Sequence, residues 1–122
     1  MSRVLIVDDE PDLLLMLRVS LEAVGFETGL AADGDAALRR IRADRFDVVL
    51  LDVMMPVLDG WSVLEAMKDD ADAPPVVVVS AKSALQDQER ARALGAVDYV
   101  TKPFDIESLI AKLHEVIGAS HA

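Results

Sequence analysis

Short apolar runs alternate with helical patterns along the whole of this 122-residue chain, and that alternation restricts its fold more than any other feature. Three of the runs are continuously apolar, which is typical of strands covered by other structure on both faces. The strands are predicted at residues 4–7, 26–30, 48–51, 76–79 and 98–100. Five strands that alternate with helices predict a doubly wound α/β fold, in which a five-stranded parallel sheet lies between two layers of helices.

The segments between these runs carry the signals of five helices. The helices are predicted at about residues 11–24, 34–43, 61–68, 83–94 and 106–117. Asp33 and Asp105 are suited to capping the second and the last helix, and Gly95 is suited to ending the fourth. The predicted core face of the first helix consists of Leu13, Met16, Leu17, Ser20, Leu21 and Val24, which leaves outside it Leu14, Leu15 and Val19.

The charge balance excludes two classes of partner for this chain. Its 22 acidic residues outnumber its 12 lysines and arginines and give a formal net charge of −10. Nucleic acids and anionic membranes both attract concentrated positive charge, so neither fits this surface. The chain has no cysteine, only two histidines and no apolar run of about eighteen residues, the length of a membrane span. We therefore expect one cytoplasmic domain over residues 1–122, with no disulfide.

Acidic and polar residues follow the predicted strands at their carboxyl ends, where ligands bind in doubly wound folds. These residues are Asp8, Asp9, Asp52, Ser80 and Lys102. A single aspartate at such a position is often a helix cap, but three carboxylates together repel one another and need a compensating cation. Oxygen ligands without His or Cys suit Mg2+, and a nearby lysine suits phosphoryl oxygens. The set predicts a phosphoryl-transfer site.

Four segments resemble the motifs of the receiver domain of two-component response regulators, the CheY-like family. They read VLIVDDEP from residue 4, DVVLLDVMMPVLDG from residue 47, VSA from residue 79 and GAVDYVTKPF from residue 95. The segments stand in the family's order, and the resemblance extends over essentially the whole chain. It implies a flavodoxin-like (βα)5 fold in three layers, α/β/α, with a single receiver domain over residues 1–122.

The resemblance also implies a metal site and a phosphoacceptor. Asp52 would accept a phosphoryl group from the phosphohistidine of a histidine kinase or a histidine phosphotransfer protein. The Mg2+ ion, for which Mn2+ would substitute, would be held by Asp8, Asp9, Asp52 and the backbone carbonyl of Met54. The chain would thus not be a conventional enzyme, but a signalling domain that catalyses its own phosphorylation and dephosphorylation.

Three further residues receive roles from the same resemblance. Lys102 would contact the phosphoryl group, and Ser80 would bond to it after transfer. Tyr99 would be the aromatic switch that rotates when Ser80 moves. The residue after Lys102 is Pro103, and the family pattern makes their peptide bond a candidate for the cis form.

The output partner is expected to be a protein that binds the face made by the fourth helix, the fifth strand and the fifth helix. The dimer pattern of winged-helix regulators is incomplete on this face, although Asp98 and Lys112 are placed to pair, so we expect a monomer or a weak dimer promoted by phosphorylation. The preferred hypothesis is a stand-alone regulator or relay shuttle. A receiver excised from a longer DNA-binding or enzymatic regulator is the alternative.

Two other classes are weaker candidates. An aspartate-nucleophile phosphatase of the haloacid-dehalogenase type needs an acid two residues after the nucleophile, where this chain has Met54. A flavodoxin-like cofactor binder needs a phosphate-binding loop after the first strand, where three acidic residues would repel the phosphate.

Two departures from the family pattern lead to further expectations. Met54 and Lys82 offer water no general base beside the acceptor, which predicts slow loss of the phosphoryl group. Leu14 and Leu15, outside the predicted core face, are either incidental exposed leucines or a docking patch for the kinase.

Overall fold

Five parallel strands form one sheet in the order β2-β1-β3-β4-β5, which confirms the predicted doubly wound fold. The structure is a computed structural model that describes residues 2–55 and 58–120. The strands are β1 Arg3–Val7, β2 Glu27–Ala31, β3 Val48–Leu51, β4 Val76–Ser80 and β5 Asp98–Thr101. The helices are α1 Pro11–Ala23, α2 Gly34–Ala43, α3 Gly60–Met67, α4 Leu85–Ala93 and α5 Ile106–Ser120.

Alternate residues of each central strand enter two separate cores, because successive side chains of a strand point to opposite faces. In β1, Leu5 and Val7 pack with α2, α3 and α4, whereas Val4 and Ile6 pack with α1 and α5. All four are buried. The three central strands, β1, β3 and β4, are almost continuously apolar because both faces of the sheet are covered by helices.

The three residues that the sequence predicts to cap or end a helix do so. Asp33 accepts a hydrogen bond from the Ala36 N–H at 2.8 Å, and Asp105 accepts one from the Ser108 N–H at 3.1 Å. Gly95 has a φ of 98°, the left-handed conformation that ends α4. The start of α4 differs from the prediction, since the helix begins at Leu85 rather than at Ser83.

The predicted core face of α1 is confirmed at Leu17 and Leu21 and wrong at three other residues. Leu14, placed outside that face by the sequence, is 8% exposed and packs with Leu17 and Leu21 in the core. Met16 and Val24, placed inside it, are 41% and 50% exposed. The reason is that residues 13–17 are all apolar, so their pattern does not select one face, and packing in the core that α1 shares with the sheet and α5 selects it instead.

Two contacts involve basic side chains of α5 and α4. Lys112 Nζ lies 2.7 Å from Asp98 Oδ2, which confirms the predicted pair. Arg90 stacks its guanidinium 4.2 Å over the ring of Trp61 and joins α4 to α3. Among the described residues, no helix is both long and apolar enough to cross a membrane.

Candidate metal and phosphoryl-transfer site

The order of the strands places two of the predicted carboxylates side by side. β1 pairs with β2 on one side and with β3 on the other, so the direction in which successive strands are added to the sheet reverses at β1. Val7 and Leu51 are register partners, and the residues that follow them are Asp8 and Asp52. The Asp52 N–H donates to the Val7 carbonyl at 3.0 Å. A crevice at such a reversal is where doubly wound folds bind ligands.

Three carboxylates and one ammonium meet at this crevice. Carboxylate oxygens of Asp8, Asp9 and Asp52 all lie within 4.8 Å of one another. Lys102, delivered by the end of β5, places its Nζ 2.8 Å from Asp8 Oδ2 and 3.2 Å from Asp52 Oδ2. Asp8 and Asp52 are buried, at 3% and 6% exposure, whereas Asp9 is exposed. The structure thus brings together four of the residues that the sequence selected.

Backbone groups hold the other oxygen of each buried carboxylate. Asp8 Oδ1 accepts a hydrogen bond from the Glu10 N–H at 3.0 Å, and Asp52 Oδ1 accepts one from the Met54 N–H at 2.9 Å. Each carboxylate is therefore fixed on one side by its own loop and on the other by Lys102. This arrangement orients Asp52 before any substrate arrives.

The electrostatics of the site follow from burial and from these contacts. Burial raises the pKa of Asp52 above its ordinary value, and the charge of Asp8 adds to that effect, while the Met54 N–H and Lys102 oppose it. Burial alone would lower the pKa of Lys102, but the hydrogen bonds and charges of Asp8 and Asp52 outweigh it and raise that pKa. Lys102 is therefore a permanent ammonium at neutral pH.

The donor set suits a hard divalent cation. All of its charged ligand atoms are carboxylate oxygens, which are the ligands that Mg2+ prefers, and Asp9 leaves the site open to solvent for water ligands. A single ammonium does not neutralise three carboxylates, so the site retains negative charge that a cation would compensate. The chemistry of the residues present fits a metal ion.

Ser80 and Tyr99 both bind the backbone of one residue, Lys82. Ser80 is fully buried at the end of β4, and its Oγ accepts a hydrogen bond from the Lys82 N–H at 3.2 Å. The Tyr99 hydroxyl, from β5, donates to the Lys82 carbonyl at 2.7 Å. Lys82 lies in the loop between β4 and α4, so this loop connects the two residues that the resemblance makes a switch.

The loops beside the site contain features that the sequence indicated only weakly. The Lys102–Pro103 peptide bond is cis, as the family pattern implies. The Gly60 N–H donates to the Val53 carbonyl at 3.2 Å, and a Cβ atom at Gly60 would lie 2.4 Å from the Asp52 carbonyl oxygen. The sequence signal for this close approach is the glycine that follows Asp59, whereas the similar Asp33–Gly34 pair predicts only the start of a helix.

Comparison with known proteins supports one family. The family model of the response regulator receiver domain matches residues 4–114. Transcriptional regulatory protein PrrA of Mycobacterium tuberculosis is 42% identical over 115 residues, which cover 94% of this chain and 49% of PrrA. Transcriptional activator protein IrlR of Burkholderia pseudomallei is 38% identical over 120 residues, which cover 98% of this chain and 52% of IrlR. The chain spans about half the length of these relatives.

Solved structures agree with the sequence comparison. The receiver domain of Francisella response regulator 1452 has a TM-score of 0.93 at 32% identity, and the alignment covers 98% of this chain and 99% of the Francisella chain. Response regulator TrrA of Thermotoga maritima, in complex with Mg2+ and BeF, has a TM-score of 0.85 at 29% identity, with coverage of 95% and 99%. Together with the match over residues 4–114, these likenesses show that the chain belongs to the family of response regulator receiver domains of two-component systems.

Proposed function

We propose that Asp52 accepts a phosphoryl group from the phosphohistidine of a histidine kinase or a phosphotransfer protein. The observation that carries this proposal is the buried Asp52 carboxylate, oriented by the Met54 N–H and placed 3.2 Å from the Lys102 ammonium. A carboxylate oxygen attacks phosphorus, the P–N bond breaks and an acyl phosphate forms. The donor imidazole keeps the electron pair of that bond and takes up a proton.

Positioning and charge supply the catalysis in this proposal. Lys102 faces the equatorial phosphoryl oxygens. It does not have to rearrange during the transfer, because it is already fixed between two carboxylates. A metal ion would be held by Asp8, Asp9, Asp52 and the Met54 carbonyl. When bound, Mg2+ or Mn2+ would neutralise the charge that develops on the transferred group.

The switch in this proposal acts through the loop that contains Lys82. A phosphoryl group on Asp52 offers strong acceptors, and the Ser80 hydroxyl turns to donate to one of them. Ser80 then releases the Lys82 N–H, while Tyr99 still holds the Lys82 carbonyl, so the loop and Tyr99 move together. The change reaches the face made by α4, β5 and α5, where we place the binding site for a downstream protein.

The chain is proposed to act as one receiver domain over residues 1–122 in the cytoplasm, as a monomer or a weak dimer promoted by phosphorylation. A stand-alone regulator or relay shuttle is the first version. A receiver within a longer DNA-binding regulator is the second, and the observation that favours it is that PrrA and IrlR, both named as transcriptional proteins, are about twice as long as the matched segment.

Intact mass spectrometry tests the acceptor directly. Wild type incubated with Mg2+ and a small acyl phosphate should gain the mass of one phosphoryl group, because the site needs no partner to position a small donor. Asp52→Asn should gain none, since an amide oxygen is a poor nucleophile at phosphorus, and a chelator should abolish the gain in wild type. An equal adduct on Asp52→Asn would place the acceptor elsewhere.

The lifetime of the acyl phosphate gives a second prediction. Met54, 51% exposed, and the exposed Lys82 stand beside the site and offer water no general base. We expect Met54→Asn combined with Lys82→Glu to speed dephosphorylation by about tenfold or more, since a carboxylate and an amide can orient and activate water. The decay of the phosphorylated mass after donor removal measures the rate.

The matched control for this variant is Met54→Leu combined with Lys82→Met. It changes the same two positions but introduces no base, so its decay should remain close to that of wild type. If both double variants decay at the wild-type rate, these positions do not set the lifetime.

A further inference from the structure

Gly34 approaches the loop after β3 from a different element, the first turn of α2. The Gly34 N–H donates to the Leu58 carbonyl at 3.1 Å. A Cβ atom at Gly34 would lie only 2.2 Å from that same oxygen, a separation that a side chain and a backbone carbonyl do not adopt. Gly34 does not have a positive φ, so its backbone conformation does not require glycine at this position. The close approach to the Leu58 carbonyl does.

The end of the same loop at Gly60 packs closely against the backbone of the phosphoacceptor, Asp52. Gly60, two residues after Leu58, donates its N–H to the Val53 carbonyl and has no room for a Cβ beside the Asp52 carbonyl oxygen. The segment from Leu58 to Gly60 is therefore held between α2 and the backbone of Asp52. The atom nearest to each Cβ position is a backbone carbonyl oxygen, of Leu58 at Gly34 and of Asp52 at Gly60, and the one side chain among the nearest atoms is the buried Val63 beside Gly34. Backbone in a packed interior yields little, so a displacement at Leu58 passes to Asp52.

We propose that Gly34 is a positioning residue for the metal site. By allowing α2 to meet the loop backbone to backbone, it sets the place of Asp52 and of the adjoining Met54 backbone. The inference rests on the proposed function, because it concerns the same site. Mg2+ requires nearly ideal octahedral geometry at about 2.0–2.1 Å, whereas Ca2+ accepts a flexible shell, so a small shift of the loop should weaken Mg2+ more than Ca2+.

The test is the affinity of Gly34→Ala for the two ions, measured by calorimetric titration beside thermal melting. We expect the dissociation constant for Mg2+ to rise about tenfold or more, and that for Ca2+ to rise by a clearly smaller factor. Gly118→Ala is the matched control, since Gly118 is also in a helix and a Cβ there has no atom of the described chain within 4 Å. It should bind both ions as wild type does.

A second variant separates the loop contact from general weakening of α2. Asp33→Ala removes the cap of the same helix, the bond from the Ala36 N–H, but adds nothing against Leu58. Its melting temperature should fall while its preference for Mg2+ over Ca2+ stays unchanged. An equal loss of Mg2+ preference in Asp33→Ala and Gly34→Ala would overturn the inference.

The remaining outcomes are also decisive. An unchanged Mg2+ constant in Gly34→Ala, with or without a lower melting temperature, makes Gly34 structural only. Where Gly34→Ala fails to fold, all proteins are compared in sucrose, which favours the folded state, and failure there also overturns the inference. Wild type that binds no Mg2+ refutes the proposed function itself, whereas the other outcomes leave it standing.

Discussion

Lys102→Met is expected to lower the free energy of unfolding of the metal-free protein by about 3 kcal/mol at neutral pH. Lys102 is the ammonium that Asp8 and Asp52 share, at 2.8 and 3.2 Å, and both carboxylates are buried. Its removal leaves two like charges without their cation in a poorly solvated crevice. Chemical denaturation in the presence of a chelator measures the loss.

Lys102→Met should also change how the free energy of unfolding depends on pH. The pKa of Asp52 is higher in the folded chain than its ordinary value of 3.8, so the free energy of unfolding falls as pH rises from 3.8 through that folded pKa. Lys102 opposes the shift, and Lys102→Met should therefore raise the pKa of Asp52 further and extend this fall to higher pH. The stability that Lys102 itself gains from its raised pKa is present below its ordinary value of 10.5 and is lost above the folded pKa.

Lys112→Met is the matched control, because Lys112 makes an equally short ion pair with Asp98 on the surface. Both partners of that pair are about one third exposed, so its loss should change stability by less than about 1 kcal/mol. Adding Mg2+ should restore much of the stability of Lys102→Met, and none of the small loss in Lys112→Met. Equal effects of the two substitutions would show that burial of the site does not strengthen the Lys102 contacts.

The same variant should take up phosphate about 100-fold more slowly from a small acyl phosphate. In this variant no ammonium contacts the oxygens of the transferred group, and saturating Mg2+ does not replace that contact. Restored stability with uptake still slow would separate the role of Lys102 in transfer from its role in folding. Wild-type uptake by Lys102→Met would remove it from the proposed mechanism.

The location of the site was predictable because a parallel sheet collects the carboxyl ends of its strands. Asp8, Asp52 and Lys102 are far apart along the chain, but each follows a strand of the same sheet, and strand order alone brings them together. The contact between Gly34 and Leu58 has no such periodic cause. It depends on how closely a helix and a loop pack, which no spacing of residue types records.

The orientation of α1 was mispredicted for a different physical reason. Five consecutive apolar residues, 13–17, cover more of the helix surface than one core contact needs, so hydrophobic periodicity fits more than one rotation. The packing of Leu14 in the core that α1 shares with the sheet and α5 resolves the ambiguity, and Leu15 is left at 60% exposure. A docking patch on α1 must therefore use Leu15 and Val19, which is equally exposed, and cannot use Leu14.

Leu14→Glu should consequently destabilise the fold by about 3 kcal/mol or more, because it buries a carboxylate in an apolar core. Leu15→Glu should change stability by no more than about 0.5 kcal/mol, since the new carboxylate stays in water. Denaturant melts of the two variants measure the difference. An equally small effect of both substitutions would show that the predicted orientation of α1, in which both leucines lie outside the core, applies in solution.

Leu15→Glu and Val19→Glu should slow phosphoryl transfer from the cognate histidine kinase or phosphotransfer protein by about tenfold or more, while uptake from a small acyl phosphate stays at the wild-type rate. The patch borders the site, since its neighbours on α1 and Lys102 line the same 640 Å³ cavity, and a small donor has no contact with it. Val97→Glu, at a similarly exposed valine before β5, is the control and should transfer normally from both donors. Because the charge added is the same in all three variants, slower transfer in the α1 variants alone would assign the effect to docking on α1. Equal loss with both donors would instead assign it to the site, and normal transfer from the protein donor would leave Leu15 and Val19 as incidental surface residues.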